Sequence, residues 1–190
     1  MEMTNVLSTQ TRSELREWLR ENHATSGHAW VPVLSKDPEE LSYLAIVEES
    51  ICFGWIDSTK KRQNGATFQR ISPRRKQSNW TELNKERARR LSDMGLMTES
   101  GLKSLPDMSE GSFAARRDVL DAINSDRETR DNFLRLPPLY VRVKIDNVQA
   151  FPVGDPTYER RLEKFLTNTK NNRLYGSWDD DGRLSRRAKP

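Results

Sequence analysis

Apolar residues along the chain fall into short runs with helical or strand spacing, separated by polar turns. Leu15, Trp18 and Leu19 follow Thr11-Arg12-Ser13-Glu14 at helical spacing, which predicts a capped amphipathic helix ending near Asn22-His23. Residues 28–34 read as a strand, and Pro32, which has no amide to donate, places it at a sheet edge. Leu44, Val47 and Ile51 form the stripe of a helix over residues 40–53, with Gly54 as its left-handed stop. Residues 55–62 and 66–72 flank Asn64-Gly65, a pair suited to the positive φ angles of a type I′ turn, so a β-hairpin is expected. A two-residue loop sets Lys61 against Phe68 and Thr59 against Arg70, which puts Asp57, Thr59, Lys61, Phe68 and Arg70 on one face.

Further along, Asn79-x-x-Glu82 reads as a capping box opening a helix from Trp80 to about Asp93, and Gly95 stops it. A shorter helix starts at Thr98 and ends before Pro106. Residues 107–112 are polar and turn-rich, as a linker would be. Beyond them Val119, Leu120 and Ile123 mark one helix, Ser125-x-x-Glu128 caps a second, and Asp155-Pro156 opens a third. Val141, Val143 and Ile145 alternate with polar residues, which by periodicity alone indicates a strand. The expected organisation is an α+β core domain over 1–106, a linker at 107–112, a helical region over 113–176 and a flexible tail at 177–190. The fold class is α+β: a small antiparallel sheet around the hairpin, covered by helices, with a mostly helical C-terminal extension.

One set of residues is more specific than these patterns. Gly54-Trp55-Ile56-Asp57 is followed by Ser72-Pro73-Arg74, Ser78-Asn79-Trp80, Asn84-Lys85, Leu91, Gly95-Leu96-Met97 and Gly101-Leu102. Together with Trp18-Leu19, Asn22-His23 and Trp30 upstream, they resemble the bacterial bacteriocin-protection family, also called YdeI or OmpD-associated. The resemblance covers roughly residues 15–105, with a fainter likeness over 115–175, where Phe151-Pro152-Val153-Gly154 stands in place of the family's Ala-Lys element. It implies a role in tolerance of antimicrobial peptides or envelope stress, without agreed catalytic residues. It also implies a helix, against the alternation, over residues 139–149.

Composition narrows the chemistry. The 190 residues are 34% hydrophobic and 32% charged, and five tryptophans supply large rings for a modest core. A single cysteine and two histidines support neither a disulfide framework nor a standard zinc site, so no metal or cofactor is expected. The first residues lack a basic and apolar leader, and the most apolar stretch, residues 43–56, is interrupted by Glu48 and Glu49. The expected location is therefore the cytoplasm, with no membrane span.

Charge is distributed unevenly. Residues 60–90 carry eleven Lys and Arg against two Glu, a net +9 that leaves −5 for the rest of a +4 chain. Such a segment attracts anions, and Arg74 and Arg75 lie just before the expected helix start, whose free amides favour a phosphate. The reading that follows is a non-enzymatic stress-protection protein binding an anionic small molecule or phosphate group. Its candidate ligand-binding residues are Asp57, Lys60, Arg70, Arg74, Arg75, Ser78, Trp80 and Asn84. The alternatives are a small enzyme acting on a phosphorylated metabolite, with Asp57 or His23 as general base, and a nucleic-acid-binding module using the same cations. Without a Ser-His-Asp motif, phosphate loop or dinucleotide fingerprint, the enzyme is the weaker expectation.

Overall fold

The first helix opens at the predicted cap. In a computed structural model, which describes residues 2–76 and 78–185, the Thr11 hydroxyl accepts from the Glu14 amide at 3.1 Å and starts α1, Arg12–Asn22. The strand that follows, β1, is Ala29–Pro32 and lies at the edge of the sheet. Residues ahead of α1 partly cover that edge. Val6 forms a parallel bridge with Trp30, the Trp30 amide donates to Asn5, and the Leu7 amide donates back to Trp30. Helix α2, Tyr43–Cys52, begins three residues after the expected start at 40 because Ser42 is the residue whose hydroxyl accepts from the Ala45 amide.

Strands β2, Trp55–Gln63, and β3, Ala66–Pro73, form the predicted hairpin, and the antiparallel sheet has the order β1-β3-β2. Asn64 and Gly65 have φ of +50° and +80°, as a type I′ turn demands. Near the turn the register is the expected one, with Gln63 opposite Ala66 and Lys61 opposite Phe68. Then it slips: Lys60 pairs with Gln69 and Asp57 with Ile71, so β2 holds one extra residue at Ser58-Thr59. The bulge corrects the expected shared face. Asp57 lies on the side of Trp55, Gln69 and Ile71, and Arg70 lies on the other.

Two consecutive acidic residues of α2 are buried, and arginines close around them. Glu48 meets Arg12 at 2.9 Å and Arg90 at 3.0 Å, while Glu49 meets Arg12 and Arg16, both at 2.7 Å. Burial works against the charge on Arg12, yet the Glu49 and Glu48 carboxylates outweigh it and hold its pKa above the ordinary value. The tether joins α1, α2 and the end of helix α3, Glu82–Asp93.

By its contacts the chain divides into two compact units. One comprises residues up to Asn79 together with Arg87–Pro106, and the other comprises Trp80–Glu86 with the chain from Asp107 onward. The first contains the sheet, α1, α2, the later part of α3, and the five-residue helix α4, Glu99–Lys103. The second is helical: α5, Arg117–Asn124; α6, Arg127–Phe133; α7, Pro138–Gln149; and α8, Pro156–Lys170. Its core holds Val119, Ile123, Tyr140, Ile145, Val148, Tyr158 and Phe165.

Residues 139–149 are thus helical, against the alternation, because Pro138 starts the helix and Tyr140, Val143, Lys144, Ile145 and Val148 are all buried. Asp126, not Ser125, caps α6, accepting from the Thr129 amide at 2.9 Å. The expected linker contains a short 3-10 turn, Glu110–Ser112, and Ser112 accepts from the Lys85 ammonium at 3.3 Å. Within the expected tail, Trp178 meets the Tyr140 ring edge-on at 5.5 Å, and Asp180 and Leu184 are buried. The rest of that tail, 186–190, lies outside the described residues. Among the described residues no helix is long and apolar enough to cross a membrane.

Candidate functional site

The site grows from one glycine. Gly54 leaves α2 at φ +73°, a left-handed conformation that lets β2 turn back at once. A side chain there would come within 2.9 Å of the Ser100 carbonyl oxygen, so the lack of one also admits α4. Helix α4 is fastened to the same place, since the Thr98 amide and hydroxyl both donate to the Cys52 carbonyl, at 3.0 and 2.6 Å. On the other side of Gly54, its carbonyl accepts from the Arg74 amide at 2.9 Å, which fixes the segment leaving β3. The end of α1 joins them through Trp55, whose indole donates to the His23 carbonyl at 3.1 Å.

These four chain segments enclose a cleft of about 620 Å³. Its polar lining includes His23, Arg74, Arg75, Lys76, Ser100 and Lys103, and Phe53 and Trp55 supply apolar wall. Four of these side chains are cationic. Arg74 is the innermost: burial lowers its guanidinium to about 10 while the Asp57 carboxylate supports the charge, so it stays protonated at neutral pH. One of its nitrogens, Nη1, donates to the Asn79 carbonyl at 3.1 Å. Arg75 and Lys76 are exposed, and Lys103 pairs with Glu99 at 2.5 Å on the surface.

His23 is held on both ring nitrogens. Nδ1 lies 2.9 Å from the Leu19 carbonyl, and Nε2 lies 2.9 Å from Ser100 Oγ. A carbonyl only accepts, so Nδ1 carries the hydrogen; in the neutral ring Nε2 then accepts from the Ser100 hydroxyl. The ring also packs against Phe53 with centroids 5.4 Å apart.

Of the residues singled out by sequence, the cleft brings together His23, Arg74 and Arg75. Asp57, Lys60, Arg70 and Ser78 are outside its lining. Asp57 accepts from the Tyr43 hydroxyl at 2.9 Å, and the Lys60 ammonium lies 4.7 Å from the Tyr43 ring centre. Arg70 donates to Ser58 Oγ at 3.4 Å. Ser78 does not cap α3; its hydroxyl accepts from the Arg75 amide at 3.0 Å and closes a turn.

Trp80 and Asn84 belong to the second unit. Trp80 is only 8% exposed, too little to serve as a stacking platform. The cap of α3 is Thr81, which accepts from the Asn84 amide at 3.2 Å, rather than Asn79. The anion expected at that helix start is the protein's own: Asp146 Oδ2 accepts from the Glu82 amide at 3.0 Å. Part of the basic segment is internal as well, because Lys85 pairs with Glu82 at 2.8 Å and Arg90 with Glu48. Sequence reasoning missed Lys76, Lys103 and Ser100. Lys76 extends the Arg74-Arg75 run, but nothing local to Ser100 or Lys103 reveals that α4 faces this cleft.

Cys52 is buried, and burial, then the Glu49 charge, push its thiol up to about 12, so it has the character of a packed apolar group. Among the described residues no group of three or more His, Cys, Asp and Glu is placed to hold a metal ion. The fold and cleft together define an α+β protein with a small basic site beside a Gly54 turn. The chain belongs to the family described as Domain of unknown function (DUF8412), whose profile matches residues 7–104, a span that includes His23, Arg74, Arg75, Lys76, Ser100 and Lys103. No curated protein and no solved structure matches the chain.

Proposed function

We propose that this chain is a cytoplasmic stress-protection protein of the YdeI/OmpD-associated type that binds a small anionic molecule, carrying a phosphate or carboxylate, in the cleft beside Gly54. The observation that carries the reading is the convergence of Arg74, Arg75, Lys76 and Lys103 on the lining of one cleft of about 620 Å³. Several cations lining one partly desolvated cleft attract an anion more strongly than the same charges spread over open solvent. The cleft accommodates a small molecule rather than a polymer, which favours a metabolite over nucleic acid. Antimicrobial peptides are typically cationic and a basic cleft repels them, so protection through this site is indirect.

Calorimetric titration with inorganic phosphate at two salt concentrations tests the reading. The wild type binds with a shallow salt dependence, and Arg74→Ala weakens binding while keeping the fold. A loss of several orders of magnitude between roughly 50 and 200 mM salt would instead indicate a polyanion partner when the same titration uses an oligonucleotide. Equal heats for wild type and Arg74→Ala would remove the proposal.

A further inference from the structure

We infer that Ser100 and His23 form a nucleophile–base pair, and that the cleft hydrolyses a small carboxylic ester bearing an anionic group. The inference rests on the anion-binding reading and goes beyond it, turning a binding site into a reaction site. Three observations support it. Ser100 Oγ lies 2.9 Å from His23 Nε2, within the reach a general base needs. The opposite nitrogen, Nδ1, is committed as a donor to the Leu19 carbonyl, so the neutral ring presents its lone pair to the serine. Both residues line the same cleft as Arg74, Arg75, Lys76 and Lys103, which brings the pair and the cations to one space.

The third member of such an arrangement orients the base, and here a backbone carbonyl does so in place of a carboxylate. The ring is further restrained by Phe53 and by the Trp55 bond to the His23 carbonyl. Ser100 is likewise fixed, because α4 is tied to Cys52 through Thr98. Both partners are only partly buried, which leaves the hydroxyl accessible from the cleft.

The chemistry balances with water as the only co-reactant. Ser100 Oγ attacks the ester carbonyl carbon and its proton passes to His23 Nε2. The tetrahedral adduct collapses, the bond from carbon to the alcohol oxygen breaks, and His23 returns the proton to the departing alcohol. Water then attacks the acyl-serine, His23 takes a proton from it, and Ser100 leaves with that proton as the free hydroxyl. Acid and alcohol are the products. The anionic group of the substrate sits against Arg74 and Arg75, which orient the ester toward Ser100.

The full chain is assayed with the 4-nitrophenyl hemiester of glutaric acid and with neutral 4-nitrophenyl butyrate, and separately labelled with a fluorophosphonate and mapped by mass spectrometry. The anionic ester is hydrolysed faster than the neutral one, the label falls on Ser100, and phosphate slows both. Ser100→Ala, which removes one oxygen, lowers the rate by roughly 10²-fold or more. His23→Asn keeps a side-chain donor for Leu19 but has no base, and at an unchanged melting temperature it loses the label on Ser100. Equal rates in wild type and Ser100→Ala, or a label elsewhere, overturn the inference. If phosphate still binds through Arg74 in that event, the binding reading stands alone; if it does not, both fall together.

Discussion

Gly101 is a position where one missing side chain decides a contact between helices. A β-carbon there would lie 2.1 Å from the Cys52 carbonyl oxygen, a backbone atom that also accepts two bonds from Thr98. Gly101→Ala is therefore expected to destabilise the protein by about 1–3 kcal/mol or more through forced overpacking, and to displace Ser100 with it. Urea denaturation reads the first effect, and an unchanged midpoint would mean that α4 does not pack here. The sequence marks Gly101 as a helix residue and as part of the family resemblance, without showing what it packs against. Its close approach involves Cys52, far away along the chain, so no local pattern could have shown it. The same holds for the His23–Ser100 bond, which spans 77 positions.

At the scale of elements, the parts dictated by short-range chemistry are the ones legible beforehand. Thr11, Gly54, Asn64-Gly65, Gly95 and Asp155-Pro156 act as caps, stops and turns because each satisfies a local backbone requirement. Gly65→Val should cost about 1–2 kcal/mol, since a β-branched residue resists the observed φ of +80°. A thermal melt identical to wild type would contradict the turn. The register of β2 was not legible, because a bulge at Ser58-Thr59 leaves no signature in a run of polar residues. The helical state of α7 is implied by the family resemblance alone, because burial of Tyr140, Val143, Lys144, Ile145 and Val148 overrides an alternation that fits a strand. The arginine clamp on α2 belongs to this scale too. Glu48→Ala leaves Arg12 with Glu49 alone and takes from Arg90 the buried carboxylate it pairs with, and a loss of about 3–5 kcal/mol is expected by urea titration. A change below 1 kcal/mol would mean that these charges are solvated.

For the whole molecule, stability depends on pH through a buried lysine in the second unit. The Lys144 ammonium lies 4.1 Å from the Tyr175 ring centre and 5.4 Å from that of Tyr140. Burial, then the nearby Lys164 charge, lower its pKa to about 8. In the unfolded chain a lysine titrates near 10.4. Between those values the unfolded state holds more protons, so raising the pH stabilises the fold, and below about 8 the effect is absent. Tyr140 and Tyr158, both raised to about 12, act with the opposite sign once unfolded tyrosines ionise near 10. Denaturation of wild type and Lys144→Met at pH 7, 8.5 and 9.5 isolates the lysine. Wild type should gain on the variant as pH rises, and a constant difference would place the ammonium in water.

Charge at this scale also differs from what the sequence suggests. The run of eleven cations in residues 60–90 looks like a single basic surface, yet Lys85 and Arg90 are used in ion pairs with Glu82 and Glu48. What gathers at the cleft is a smaller set, Arg74, Arg75 and Lys76, joined by Lys103 from α4. That convergence is the basis of the proposed function. An NMR titration of the amides with inorganic phosphate tests it most directly. Saturable shifts centred on Gly54, Arg74, Arg75, Lys76 and helix α4 are the predicted result, and Arg74→Ala weakens the binding they report. Shifts spread along Lys60, Lys61 and Arg62 of the hairpin, or none at the Gly54 cleft, would contradict the account.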